Sequence, residues 1–157
     1  WQAETKLDDF PSRGWTKPKV ALKADIFEAS HTYKLKGQAK YVTLVEAQNG
    51  ERRYFKLYTA DHLAGPWQPL AASRSKPAVS VRNVVNQDRS WATSYSHGEF
   101  LRSGFDQRLE VDPTSTRILF QGASDREYQK GGYGDITWRL GLLDRVGIRS
   151  TTRGEID

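Results

Sequence analysis

Glu28 is the residue whose setting most suggests chemistry. It interrupts the apolar, β-leaning segment Ala24-Asp25-Ile26-Phe27-Glu28-Ala29-Ser30-His31-Thr32-Tyr33, with Phe27 before it and Ala29-Ser30 after it. A carboxyl held among apolar groups loses hydration and keeps its proton to higher pH. Such an acid can protonate a leaving group. The plainer reading is a glutamate on the solvent face of a strand, where most charged residues lie. Tyr133 lies in Gly131-Gly132-Tyr133-Gly134, a glycine-rich setting that lets a ring reach a ligand. His97 follows Ser96 in Tyr95-Ser96-His97-Gly98-Glu99. Adjacent strand residues point to opposite faces, so Ser96 and His97 are not expected to form a catalytic pair.

The elements that must position these residues are short strands. Residues 25–35 read as a strand carrying Glu28. Tyr41-Val42-Thr43-Leu44-Val45-Glu46-Ala47 is rich in β-branched residues and is the clearest strand of the chain. Asn49-Gly50 follows, a strong hairpin signal. Arg53-Tyr54-Phe55-Lys56-Leu57-Tyr58-Thr59 returns, with Tyr54, Lys56 and Tyr58 on one face and Phe55 and Leu57 on the other. Residues 68–72 read as a short edge strand after Gly65-Pro66-Trp67, and residues 73–86 as loop. Further strands are expected over 90–101, 107–111, 117–122 and 137–143, with a polar loop over 124–134. Residues 1–23 read as loop with short strand pieces. There is no convincing amphipathic helix, so the chain reads as all-β: sandwich, barrel or propeller. Propeller blades of about 40–50 residues would place about three in this length.

Composition sets the bounds. The chain has 157 residues, the size of one domain, with 37% hydrophobic and 27% charged residues. No apolar run is long enough to cross a membrane. The formal net charge is +5, but the basic residues are scattered and no block of like charge appears, which reads as a solvated basic face and not a nucleic-acid surface. There are no cysteines, which excludes disulfides, thiolate zinc sites and cysteine nucleophiles. The aromatic residues (Trp 5, Tyr 7, Phe 6) suit both a β-rich core and stacking on sugar rings. The chain opens on Trp1 in mid-pattern with no visible signal peptide, so residues are expected upstream.

Several motifs in order resemble the second half of glycoside hydrolase family 62, the α-L-arabinofuranosidases. They are Ile26-Phe27-Glu28-Ala29-Ser30, the strand from Tyr41 to Glu46, Arg53-Tyr54-Phe55 followed by Leu63-Ala64-Gly65-Pro66-Trp67, Ser96-His97-Gly98-Glu99 with Arg102-Ser103-Gly104-Phe105-Asp106-Gln107, Phe120-Gln121-Gly122, and Trp138-Arg139-Leu140-Gly141-Leu142-Leu143. The resemblance implies a partial five-bladed β-propeller over residues 1–145, with a divergent polar tail over 146–157. It implies a secreted, extracellular enzyme that removes arabinofuranosyl groups from arabinoxylan with inversion. Glu28 matches the general acid of that family, Tyr133 a tyrosine that contacts arabinose, and His97 a histidine near an axial calcium ion. Calcium prefers oxygen, so a lone histidine is a poor ligand by itself, and a hydrogen-bonded core histidine is the alternative.

Departures from the family pattern carry expectations of their own. Its two catalytic aspartates lie in a first half absent here, and Asp8, Asp9 and Asp25 do not sit in their motifs. Inversion needs a base across the sugar ring from the acid, so the chain by itself is expected to be inactive or weakly active. Gly134 stands where the family commonly has asparagine, and Thr114 replaces a cysteine after Asp112-Pro113. Trp67 and Trp138 read as packing residues, whereas Gln121 and Arg139 sit on motif strands with no assigned role, satisfying buried backbone groups being one option. A rival reading is a non-catalytic carbohydrate-binding or decayed propeller fragment, recognised by arabinoxylan binding without turnover. A nucleic-acid binder would instead show steep salt dependence.

Overall fold

A long hairpin anchors the structure. Strand β2 (Tyr41–Asn49) pairs with β3 (Arg52–Ala60) in unbroken antiparallel register from Tyr41↔Ala60 to Asn49↔Arg52. The Asn-Gly signal marks its turn, where Gly50 takes φ +61°, a conformation open to glycine at little cost. The computed structural model describes residues 1–50, 52–85, 91–129 and 131–144. The expected tail over 146–157 lies outside the described residues, as does Ser90 at the start of an expected strand.

Strand β1 (Ser30–Leu35) pairs antiparallel with β2, and β4 (Gln68–Ala71) closes the far edge against β3. Strand β5 (Ser94–Phe100) begins a second sheet. The two-residue β6 (Glu110–Val111) returns to pair parallel with β1. Strands β7 (Arg117–Ala123) and β8 (Arg139–Asp144) complete the second sheet. The described residues thus form a five-stranded sheet, β4-β3-β2-β1-β6, and a three-stranded sheet, β5-β7-β8. The fold is all-β, as its short alternating strands predict. Residues 1–29 contribute one isolated bridge, Gln2↔Lys19, and no strand.

Several expected strands are shorter than read, that over 90–101 running from Ser94 to Phe100. Residues 107–111 pair only at Glu110 and Val111. Residues 25–29 precede β1, because Ala29 has φ +50° and interrupts the ladder. Phe27 N still donates to Glu46 O and Glu46 N to Ala29 O, so the segment stays alongside β2. The loop over 124–134 contains a single helical turn, α1 (Asp125–Tyr128), and a 3₁₀ turn, Tyr133–Asp135. Ser124 and Glu127 form a capping box at the start of α1, a device suited to so short a helix.

The core lies between the sheets. From β1–β3 it takes Tyr33, Leu35, Val42, Leu44, Phe55 and Leu57; from the second sheet it takes Tyr95, Phe100, Ile118 and Phe120. Phe55 and Leu57 face this core, as the alternation predicted. The opposite face of β3 is also buried, and Lys56 Nζ there donates to the Asp25 carbonyl. Packing between the sheets is tight at glycine. A Cβ on Gly98 would sit 2.5 Å from the Phe55 ring, and one on Gly141 2.5 Å from Phe120.

Candidate functional site

The inner face of the hairpin changes character toward its turn. Along β2 it presents Val42, Leu44 and then Glu46; along β3 it presents Leu57, Phe55 and then Arg53. Glu46 lies opposite Phe55 and Arg53 opposite Gln48, so the two charged residues are diagonal neighbours on one face. The Glu46 side chain is fully buried and that of Arg53 is 5% exposed. Arg53 Nη1 donates to Glu46 Oε1 at 3.0 Å and to Ser96 Oγ at 2.9 Å. Ser96 Oγ lies 3.0 and 3.2 Å from the two Glu46 oxygens, and His97 N donates to Glu46 Oε2 at 2.8 Å. Every buried charge here has its partners, as the interior requires. Burial is the largest influence on Arg53 and works against its charge. Glu46, the Tyr133 hydroxyl and Tyr128 outweigh it, and the guanidinium holds its proton more tightly than a free arginine.

Arg53 also reaches outward. Nη1 donates to Glu28 Oε1 at 3.1 Å, and Nη2 donates to the Tyr133 hydroxyl at 3.2 Å. Three rings surround its guanidinium: Phe27 at 4.6 Å, Tyr133 at 5.3 Å and Trp138 at 5.4 Å from centroid to Cζ. Glu28 and Tyr133, far apart in sequence and picked out separately, thus share one partner. Glu28, Glu46 and His97 bring ligand atoms within 4.8 Å of one another, so His97 belongs to the same place.

The setting of Glu28 differs from expectation in one respect. Its side chain is 46% exposed and its partner is a cation, so it is not enclosed by apolar groups. Phe27 does not cover it, because that ring lies against Arg53. Tyr133 is 60% exposed, its ring open to a ligand and its hydroxyl held from below.

Ser96 and His97 do not point apart. Ser96 Oγ is 2.8 Å from His97 Nδ1. His97 has φ +47°, and the β5–β7 ladder jumps from Ser96↔Gln121 to Glu99↔Leu119, so simple alternation fails across this bulge. The contact does not make a nucleophile. Ser96 is fully buried, and its hydroxyl is tied to Glu46 and Arg53.

The donor set fits calcium only in part. Ser96 occupies Nδ1 of His97, which leaves Nε2 for a ligand. The nearby oxygens belong to Glu28 and Glu46, and both carboxylates already face Arg53 Nη1. Calcium takes six to eight oxygens, so a calcium site at His97 needs oxygen ligands beyond these two side chains.

Glu46, Arg53 and Ser96 escaped the sequence reading as site residues. A signal for the first two was present: each is a charge inside a strand that is otherwise apolar on the same face. Trp138, read as packing, packs on Tyr128 (6.0 Å) and also flanks Arg53. Arg139 pairs with the buried Glu127 at 3.0 Å and steadies the loop leading to Tyr133. A second clamp joins the sheets beside the site. Arg52 and Thr93 both donate to Asp125, Arg52 being the larger cause that holds its carboxyl below the usual range.

Comparison with known proteins gives a consistent result. Residues 1–144 match the model of glycosyl hydrolase family 62. The chain is 42% identical over 118 residues to alpha-L-arabinofuranosidase C of Cellvibrio japonicus, covering 75% of this chain and 19% of that protein. It superposes on the catalytic domain of a Coprinopsis cinerea family 62 α-L-arabinofuranosidase with a TM-score of 0.84 at 36% identity, covering 90% of this chain and 45% of that one. An α-L-arabinofuranosidase of Podospora anserina, solved with cellotriose, gives 0.83 at 37% identity, with 90% and 45% covered. A family 62 hydrolase solved with xylotriose gives 0.82 at 35% identity, with 91% and 46% covered. The chain therefore spans less than half the length of these solved relatives and about a fifth of the curated one.

Proposed function

The chain belongs to glycosyl hydrolase family 62, and from that premise we propose that it forms the acid-bearing part of an inverting α-L-arabinofuranosidase acting on arabinoxylan. The observation that carries the proposal is the convergence of Glu28 and Tyr133 on Arg53. Glu28 gives its proton to the glycosidic oxygen as the bond from that oxygen to the anomeric carbon breaks. Water attacks the opposite face of that carbon and loses its proton to a base supplied by the remaining part of the domain. Tyr133 offers its exposed ring to the arabinose, and Arg53 keeps the proton donor in place. The half-exposure of Glu28 suits a group that must meet a substrate from solvent.

The same proposal completes the two sheets to a five-bladed propeller and places the enzyme outside the cell, with arabinoxylan or an arabino-oligosaccharide as its partner. It includes structural calcium held through His97 Nε2, with the remaining oxygen ligands coming from water or from the rest of the domain. Taken by itself, the chain binds sugar without turning it over, because the base is missing.

Azide tests this reading. It is an anionic nucleophile that needs no base, so it can replace activated water in a site that holds only the acid. The purified chain with an arabino-xylooligosaccharide releases no arabinose, but forms arabinosyl azide when azide is added, and Glu28→Gln abolishes that product. Arabinose release without azide would place a base within this chain. Absence of any sugar binding would overturn the site.

A further inference from the structure

We propose that Arg53 is a positioning residue that couples Glu28 to Tyr133, with the buried Glu46 and Ser96 as its anchor; the inference rests on the functional reading above. The four contacts divide into two pairs. Glu46 and Ser96 are paired within strand ladders, are wholly buried, and hold the guanidinium from the core side. Glu28 and Tyr133 lie on segments without ladder pairing of their own, one before β1 beside the left-handed Ala29, the other in the 3₁₀ turn after Gly131 and Gly132. They approach the same guanidinium from solvent and from opposite parts of the chain.

A planar guanidinium can serve such a junction and an ammonium cannot. Its donors leave in fixed directions: Nη1, whose two hydrogens are shared among Glu46, Ser96 and Glu28, fixes the plane in which Nη2 meets Tyr133. Phe27, Tyr133 and Trp138 close over its faces and restrict the plane. Glu46 supplies the countercharge that lets this cation lie buried, so the half-exposed Glu28 need not supply it alone. The other titratable groups facing the junction are His97, beside Glu46, and Tyr128, which hydrogen-bonds with Ser94 at 3.0 Å. Two functional segments outside the strand ladders thereby share one rigid support.

The test uses ¹⁵N relaxation of the whole chain. Arg53→Gln alone strands the Glu46 carboxylate and risks unfolding, so the informative variant is Arg53→Gln with Glu46→Gln, which removes both buried charges together. In the parent, residues 27–29 and 131–135 are as ordered as β2 and β3. In the double variant both segments loosen together, from order parameters of about 0.85 to below about 0.6, while the strands stay unchanged. Arg53→Lys does not restore the order, and Glu28→Gln leaves residues 131–135 ordered. Affinity for an arabino-xylooligosaccharide falls by about tenfold or more in the double variant, the scale on which small misplacements in a site act. Unchanged order in both segments, loosening of only one, or restoration by lysine overturns the coupling. Coupled loosening in a chain that binds no sugar would uphold the coupling and overturn the functional reading.

Discussion

The inner face of the β2–β3 hairpin has two ends built on opposite plans. At one end Val42, Leu44 and Leu57 pack with Tyr33, Phe100 and Ile118. At the other, within two steps along the same strands, Glu46 and Arg53 occupy equally buried positions. Apolar burial stabilises by about 1.5–3 kcal/mol for each large side chain. A buried ion pair at best offsets its own desolvation, and well-packed hydrophobic residues in its place often do as well or better. The charged end is therefore not explained by stability. The difference teaches that one face of one hairpin is divided between holding the sheets together and presenting a fixed cation to Glu28 and Tyr133.

The sharpest way to break that comparison is to remove one partner at the charged end. Glu46→Gln leaves the Arg53 guanidinium buried without its main countercharge, and a loss of about 3–5 kcal/mol is expected in denaturant unfolding. Arg53→Met combined with Glu46→Gln should lose less than Glu46→Gln alone, because no charge is then stranded. A double variant that is less stable than the single one would mean that the pair is a net stabiliser and that the two ends are not different in kind.

The apolar end should answer differently. Leu44→Ala opens a cavity in the core and is expected to cost about 2–5 kcal/mol. The Arg53 junction should survive it, with residues 27–29 and 131–135 as ordered as before at temperatures where the variant is folded. Loss of sugar binding in folded Leu44→Ala would join the two ends into one cooperative unit.

How far this division could be read from sequence follows from the same strands. The hairpin was plain, because a β-branched run, Asn49-Gly50 and an alternating return segment all pointed to one structure. Glu28 stands out by its setting, His97 and Tyr133 take their interest from the resemblance, and the structure brings the three to one place while leaving their roles as proposals. Glu46 was hidden by its strand. In an alternating reading a charge among β-branched residues is assigned to a solvent face, yet both faces of this hairpin are buried. The register, which sets Glu46 opposite Phe55 and diagonal to Arg53, is what turns two isolated charges in apolar strands into a pair. The Ser96–His97 contact was not legible at all. It depends on a left-handed φ at a non-glycine residue, which no local pattern announces.

Alkaline pH probes the apolar end from another side. Tyr33 is buried, and burial, its largest influence, pushes its hydroxyl up to about 12, against the hydrogen bond it accepts from Phe100 N. The folded form therefore holds a proton that the unfolded form has released. This contribution to stability is complete below pH 10 and is lost as the pH rises from there through about 12, a loss on the order of 2–3 kcal/mol. Tyr33→Phe should flatten that part of the stability–pH curve. An identical slope in the variant would assign the alkaline loss to other groups, with the buried Lys56 working in the opposite sense. Burial, its largest influence, lowers its value, so its contribution improves as the pH rises through that lowered value toward the unfolded one.

The smallest effect on stability should come from the residue most exposed to a ligand. Tyr133→Phe removes the hydroxyl that accepts from Arg53 Nη2 but keeps the ring beside Trp138 and the Arg53 guanidinium. The residue is mostly exposed, and water can replace the lost acceptor, so a change within about 0.5–1.5 kcal/mol is expected in thermal or denaturant unfolding. Its effect on function should be larger than its effect on folding. Without the hydroxyl, the ring is no longer tied to the guanidinium that also holds Glu28, and affinity for an arabino-xylooligosaccharide should fall while the strands and Glu28 keep their order. At the apolar end no substitution should behave this way, since the side chains there act on stability, through packing or, for Tyr33, through the hydrogen bond from Phe100 N. A Tyr133→Phe variant that binds sugar as the parent does would leave the tyrosine as a loop aromatic and restrict the charged end to holding Glu28.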